Sequence, residues 1–455
     1  MNRDDDSIDR LLEQAGDESR DTVMPEERLD EALRAGIRRA SEERRSPRKR
    51  RVAAKRIGAG AAAALLFLAV SIRVFPGFAL ALSQLPGMEA IVRLIAYDRG
   101  LAEAVRNDYY QPIGASQTLG GVTLTVDGVI ADESRLVLFY TITDPEGGAA
   151  YMDVDRPKFR LQDGSELQAM YSWGFVNPGL ESEGPIRTRS GHIDVQFAGG
   201  AALPDAFALE MGLRRGVTPF GGTYEIPVAL EARDPAGLRT EYAIDRTVDL
   251  EGQRVTFKRA IVYPTRIAVE AEFDEANSKQ IFSFMDLKLI GDDGEEYTEQ
   301  SSTHVDERTR IIYFEGSSFA IPDSLTLTGS RVRAIDKDRL DLVVDLERGS
   351  VLEAPDDRIA LEQVTDQGEW LELRFLLHGI DEDDKMLYSV VEGAFADGSG
   401  RTFETGGGRT FGGTGENGQQ FVSFQIPDEA YAQPLTFRIF NYPGYVGEPF
   451  EIRIR

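Results

Sequence analysis

The chain has 455 residues, 42% hydrophobic and 28% charged, with a formal charge of -26; that length holds about three ordinary domains. So acidic a balance excludes nucleic-acid binding by the bulk of the chain, because that binding relies on Lys and Arg neutralising phosphates. The absence of cysteine excludes a disulfide framework, a thiolate zinc site and a cysteine nucleophile.

Residues 1–56 are polar, acidic first and basic second. Two stretches repeat with helical period. Ile8, Leu11, Leu12 and Ala15 form the first stripe, with Asp6 or Ser7 as N-cap. Pro25 and two glutamates open the second, whose stripe is Leu29, Ala32, Leu33, Gly36, Ile37 and Ala40. Helices this short are marginal in water by themselves. Two readings of the arm stand open: a partner covers Leu29, Leu33 and Ile37, with Leu11 and Leu12 beside them, in a groove, or the arm is a solvated tether.

From Ile57 to Ile72 the sequence IGAGAAAALLFLAVSI carries no charge. At 1.5 Å per residue it spans about 24 Å against about 30 Å of hydrocarbon. Continuing through Phe75 gives about 28 Å, with Arg73 snorkelling to the outer headgroups. Ile57, Leu65, Leu66, Phe67, Leu68 and Ile72 would meet the lipid tails. The basic cluster Arg44, Arg45, Arg48, Lys49, Arg50, Arg51, Lys55 and Arg56 precedes the run, which places the N-terminus in the cytoplasm and the C-terminal region outside the cell. A buried Ala-rich core helix rarely follows so dense a basic cluster. A cleaved signal peptide ending at Ala79-Leu80-Ala81 would carry a 56-residue leader before its apolar run, far longer than usual.

Residues 57–75 are thus predicted as one transmembrane helix and 76–112 as a helical collar, with a stripe of Met88, Ile91, Val92 and Ile95 and a second helix capped by Asp98. Past Gly114 the period becomes two. Three landmarks then recur in the same order. The first is a hairpin, with turns at Asp132-Glu133-Ser134, Tyr263-Pro264-Thr265 and Asp366-Gln367-Gly368. Next comes Asp-Gly, at Asp163-Gly164, Asp293-Gly294 and Asp397-Gly398, a pair suited to the positive φ of tight turns. An apolar-Pro-Asp corner follows at Leu203-Pro204-Asp205, Ile321-Pro322-Asp323 and Ile426-Pro427-Asp428. The order predicts a mainly β protein with three tandem immunoglobulin-like sandwich modules outside the membrane, at 113–235, 240–349 and 351–455.

His192, His304 and His378 have no metal-binding spacing and read as strand or loop residues. No hydrolase elbow or zinc helix accompanies them. The acidic run Asp381, Glu382, Asp383, Asp384 lacks the spaced acids and glycine of a calcium loop and reads as an exposed hairpin tip. The glycines from Gly406 to Gly415 read as a flexible loop. No active site can be assembled, so neither an enzyme nor a cofactor is expected.

The motifs S-I-R-V-F-P, Q-L-P-G-M-E, Q-P-I-G-A-S and D-G-V-I-A-D-E-S between Ser71 and Ile142 resemble the membrane-anchored proteins of Gram-positive spore formers classed under domain of unknown function 4179. The stretch from Tyr242 to Arg348 resembles a second uncharacterised β domain that follows it. What the resemblance implies is an anti-sigma-factor-like role: the arm would bind an extracytoplasmic-function sigma factor while the β modules sense an unknown extracellular ligand. The arm lacks the His and Cys of zinc-binding anti-sigma domains, so its apolar stripe would do the binding. The rival expectation is a surface adhesion or wall-binding protein with no regulatory arm.

Overall fold

Alternating apolar and polar residues past Gly114 become antiparallel sheet in the computed structural model, which describes residues 97–175, 185–197, 203–216, 218–231, 238–292, 294–406, the backbone of 411–414, and 418–455. The described residues are mainly β and form many sheets. Among them no helix is long and apolar enough to cross a membrane. The predicted span at 57–75 and the arm at 1–56 lie outside the described residues.

Asp98 caps the helix Arg99–Arg106 (α1) as the sequence predicts, its Oδ1 accepting from the Leu101 amide at 3.0 Å. The first β unit then pairs five strands in the order Tyr110–Leu119, Val122–Ala131, Arg135–Thr143, Thr188–Gln196 and Met170–Phe175. Ala206–Arg215, flanked by Met152–Val154, Lys158–Leu161 and Thr218–Ala229, makes the facing sheet. Leu138, Tyr140 and Ile193 from one sheet meet Phe159, Leu209 and Tyr224 from the other in a shared core. Period two puts them there, because alternate residues of each strand point to one face.

All three predicted hairpins form, with end pairs Ala131↔Leu136, Val262↔Ile267 and Asp366↔Leu371. Each carries a register shift at the same distance before its turn, at Val126/Gly128, Phe257/Arg259 and Leu361/Gln363. A bulge adds local twist and bend, so the three hairpins share a geometry as well as a sequence order. The Asp-Gly landmarks divide. Gly164 and Gly294 take φ of +83° and +81°, whereas in the third repeat the positive φ falls on Gly400. Gly398 serves close approach instead, since a Cβ there would lie 2.4 Å from the Gln433 carbonyl oxygen. Gly412 and Gly413, expected in a flexible loop, stand in the strand Phe411–Thr414 paired to Gln420–Pro427.

The seam between the second and third β units differs from the expected break near Gly349 to Pro355. Leu340, Leu342 and Val344 already belong to the third core, and their strand Asp341–Asp345 pairs with Leu435–Ile439. At the far end the chain returns: Tyr445–Val446 pairs with Val332–Asp336, and Phe450–Arg453 pairs with Leu325–Gly329. The second unit is closed by the last strand of the chain, with Val446 and Ile452 in its core. Alternation marks a strand and its buried face but not the sheet it joins, so sequence order alone placed these strands in the third module.

Candidate functional site

Two turns that occupy equivalent places in the sequence repeat meet beside α1. The tip Asp132-Glu133-Ser134 of the first unit docks on Tyr263-Pro264-Thr265 of the second. Asp132 is the hub, its carboxylate buried. Its Oδ1 accepts from the Ser134 and Arg135 amides at 2.8 and 3.1 Å and from Ser134 Oγ at 2.6 Å. Its Oδ2 crosses the junction, accepting from Thr265 N at 2.9 Å and Thr265 Oγ1 at 2.6 Å. Arg266 reaches back: Nε donates to Ser134 Oγ at 2.9 Å and Nη2 to the Ser134 carbonyl. The Arg266 guanidinium lies 3.6 Å from the Tyr313 ring centroid, a cation–π contact. Burial pulls its pKa below the ordinary arginine value.

Arg135 ties the helix to this knot. Its Nη1 donates to Asp98 Oδ2 at 2.7 Å, and its Nη2 donates to Asp194 Oδ2 at 2.6 Å. Burial would pull the guanidinium pKa down, but Asp194 and Asp98 together push it up. One buried cation therefore satisfies two buried carboxylates, one of which caps α1.

The apolar face of α1 completes the junction. Leu101, Ala104 and Val105 pack on Ile130, Val137 and Phe139, the outward face of the first sheet, with Phe319 of the second unit alongside. Each large side chain so buried contributes about 1.5–3 kcal/mol. Gly100 sets the approach: a Cβ there would stand 1.9 Å from the Thr265 carbonyl oxygen and 2.4 Å from that of Gly316. Around the rim, Arg99 pairs with Glu295 at 2.7 Å and Glu315 at 3.7 Å. At 44% exposure these pairs contribute little.

In the acidic run Glu382 and Asp383 are exposed, as a tip would have them, but Asp384 is buried in a second knot between the second and third units, which corrects the reading at that residue. Arg333 donates to Asp384 from Nε at 3.1 Å and Nη2 at 2.5 Å, and Arg331 Nη1 to Asp381 at 2.6 Å. Tyr388, Tyr445 and the Met386 amide also donate to Asp384. Burial pushes the Asp384 pKa up, yet Arg333 and these other donors hold it at about 2.

Two carboxyls sit the other way. Burial raises Asp127 to about 6 against its hydrogen bond from Thr141, and raises Glu299 to about 7 against the fields of Arg310 and Arg333. A carboxyl whose folded pKa is raised stabilises the fold most at pH below its unfolded pKa, and that contribution is lost as pH rises through the folded pKa. Glu299 should accordingly add about 1 kcal/mol of stability between pH 8 and pH 6, against the opposite trend of His192 and His304, whose buried rings have depressed pKa values. Scans of Glu299→Gln across that range should lack this increment; an unchanged slope would assign the effect elsewhere.

Among the described residues no group of His, Asp and Glu could hold a metal ion. His192 lies in Thr188–Gln196, His304 ends Glu296–His304, and His378 follows Trp370–Leu377. The sequence-derived partner residues Leu11, Leu12, Leu29, Leu33 and Ile37, and the lipid-facing set from Ile57 to Arg73, lie outside the described residues. Of the junction residues, sequence reasoning found the Asp98 cap and the two hairpin turns that hold Asp132 and Thr265, but not that the turns meet. It missed Arg135, Asp194 and Arg266; the available signal was a charge beginning an otherwise apolar strand, as in Arg135-Leu136 and Arg266-Ile267.

Residues 49–144 match the model of a domain of unknown function (DUF4179), and residues 239–354 that of a family of unknown function (DUF5643). These matches show the two resemblances drawn from the sequence. The first ends just past the first hairpin, so it holds Asp98, Asp132 and Arg135, while Thr265 and Arg266 fall in the second. No curated protein matches. The crystal structure of the conserved domain protein from Bacillus anthracis is 12% identical over 54% of this chain and 84% of its own, with a TM-score of 0.37.

Proposed function

We propose that this chain, with its matches to two families of unknown function in tandem, is a single-pass transmembrane regulator of the anti-sigma type. In this reading the arm at 1–56 holds an extracytoplasmic-function sigma factor through Leu29, Leu33 and Ile37, with Leu11 and Leu12 beside them. Residues 57–75 cross the membrane. Immunoglobulin-like β units outside the cell meet an envelope signal, and the protein performs no catalysis. The observation that carries the reading is the clamp on α1. This helix lies about 24 residues beyond the predicted span, and Arg135, Gly100 and the Asp132–Thr265 bonds lock it where two β units meet. A change in how those units pack would alter the force or freedom of the segment leading to the membrane. A solvated tether would have no use for such a coupling.

The test is direct. Purified sigma factor encoded beside this chain is titrated onto the full chain in neutral detergent, and onto a variant with Leu33→Glu and Ile37→Glu. Charging two apolar anchors should weaken binding about a hundredfold. Absence of binding to the parent chain, or equal binding to both, would remove the regulatory reading.

A further inference from the structure

Arg310 is a buried cation whose hydrogen-bond partners are all neutral; the Glu299 carboxyl acts on it through its field alone. The residue is 3% exposed, on the core-facing side of Thr309–Phe314, opposite His304. Its Nη1 donates to the Phe282 carbonyl, and its Nη2 to the Ile281 carbonyl at 3.4 Å and to His304 Nε2 at 2.8 Å. His304 must be neutral to accept there, and burial together with Arg310 depresses its pKa accordingly. Nε has no hydrogen-bond partner. Among the described residues no carboxylate lies within ion-pair distance of Arg310, whereas Arg135 and Arg333 have theirs at 2.6 and 2.5 Å. A buried charge left this way is costly, and proteins ordinarily pair it.

Two cavities share Arg310 in their lining. One of about 400 Å³ is also lined by Lys279, Arg308 and Lys337 with Asp274 and Glu275, the other of about 390 Å³ by Arg438, Asn441 and Glu392; Lys279 and Arg308 are already paired, with Asp336 and Glu275. Gln280 and Glu307 border both. Sharing Arg310, Gln280, Ile281 and Glu307, the two adjoin and are treated together as one groove.

We propose that this groove is an oxyanion site anchored by Arg310, taking a phosphate or carboxylate group carried on a small polar ligand. Nε and one Nη1 hydrogen are uncommitted, and giving up the 3.4 Å bond from Nη2 to Ile281 would complete a donor pair for the oxygens of either group. The cavity volumes hold more than a lone ion, so the charged group would bring polar substituents against Gln280 and Asn441. Glu307 is exposed at the mouth; its charge opposes an incoming anion. The assignment stands whatever the cytosolic arm binds.

Thermal unfolding of the full chain in neutral detergent is followed against inorganic phosphate, sodium acetate and sodium chloride at matched ionic strength. A saturable upward shift with phosphate or acetate beyond that with chloride is expected. Phosphate alone would assign a phosphoryl ligand, and acetate alone a carboxylate. Arg310→Gln should abolish the shift, and Glu307→Gln should tighten binding about threefold by removing a repulsive charge. Oxyanions that do no more than chloride would overturn the assignment, as would a folded Arg310→Gln that keeps the shift. Should Arg310→Gln fail to fold, an unchanged affinity in Glu307→Gln overturns it instead.

Discussion

Replacing Gly100 with valine should undock α1 from the second β unit and lower the stability of the junction by about 3 kcal/mol or more. The reason is geometric. Even the first side-chain atom would sit 1.9 Å from the Thr265 oxygen and 2.6 Å from its carbonyl carbon, and backbone cannot yield as the end of a flexible side chain can. Either the helix lifts off or the Thr265 turn moves, and Thr265 also carries the bonds to Asp132. Hydrogen exchange should report which. Amides from Leu101 to Val105 lose protection if the helix lifts, while faster exchange at Thr265 and Arg135 marks a displaced turn. Arg99→Ala is the matched control, because its pairs are solvent-screened and their loss should shift stability by less than about 1 kcal/mol. Unchanged melting and exchange in the valine variant would show that the contact at Gly100 does not hold the helix. In the regulatory reading the same variant should free the membrane-proximal segment without any external signal. Sigma-dependent transcription would then become insensitive to envelope conditions.

The strands were legible in the sequence because burial on one sheet face imposes period two, so Val122, Leu124 and Val126 are buried while Thr123 and Thr125 between them are less so. The hairpin tips were legible as well. Their partners were not. Asp132 looks like any turn aspartate, and no local pattern says that its second oxygen crosses to Thr265, 133 residues away. Asp384 misleads for the same reason: four acids in a row suggest a solvated tip, as Glu382 and Asp383 are, and only the position of Arg333 on a neighbouring unit turns Asp384 inward. The return of Phe450–Arg453 to the second sheet was equally silent, since an edge strand carries the same alternation whichever sheet receives it. Buried ion pairs and chain returns are tertiary facts. They depend on which surfaces meet, whereas caps, turns and alternation depend on near neighbours.

Arg333→Met should be the most damaging single change at the second seam. It strands the Asp384 carboxylate, whose side chain is 0% exposed, and breaking one partner of such a pair costs about 3–5 kcal/mol. The methionine also forfeits the bonds to Ser283 Oγ and the Phe284 carbonyl. The pH dependence separates the stranded charge from lost packing. In the parent chain Asp384 is held at about 2, so its contribution is present above the unfolded carboxylate pKa and is lost only as pH falls through that low value. Nothing changes for this residue between pH 7 and pH 4.5. Without Arg333, burial dominates and raises the Asp384 pKa, so acid relieves the variant by neutralising the charge. The difference in melting temperature between variant and parent should therefore be large at pH 7 and smaller at pH 4.5. Adding Asp384→Asn should remove most of this pH dependence and recover part of the stability. Parallel pH profiles for the variant and its parent would mean that packing, not charge, holds this seam. Because Tyr445 also donates to Asp384 and the following strand pairs into the second sheet, the knot fixes the returning chain as well. Its loss should loosen the two units together, and exchange at Ile452 should rise with exchange at Tyr388.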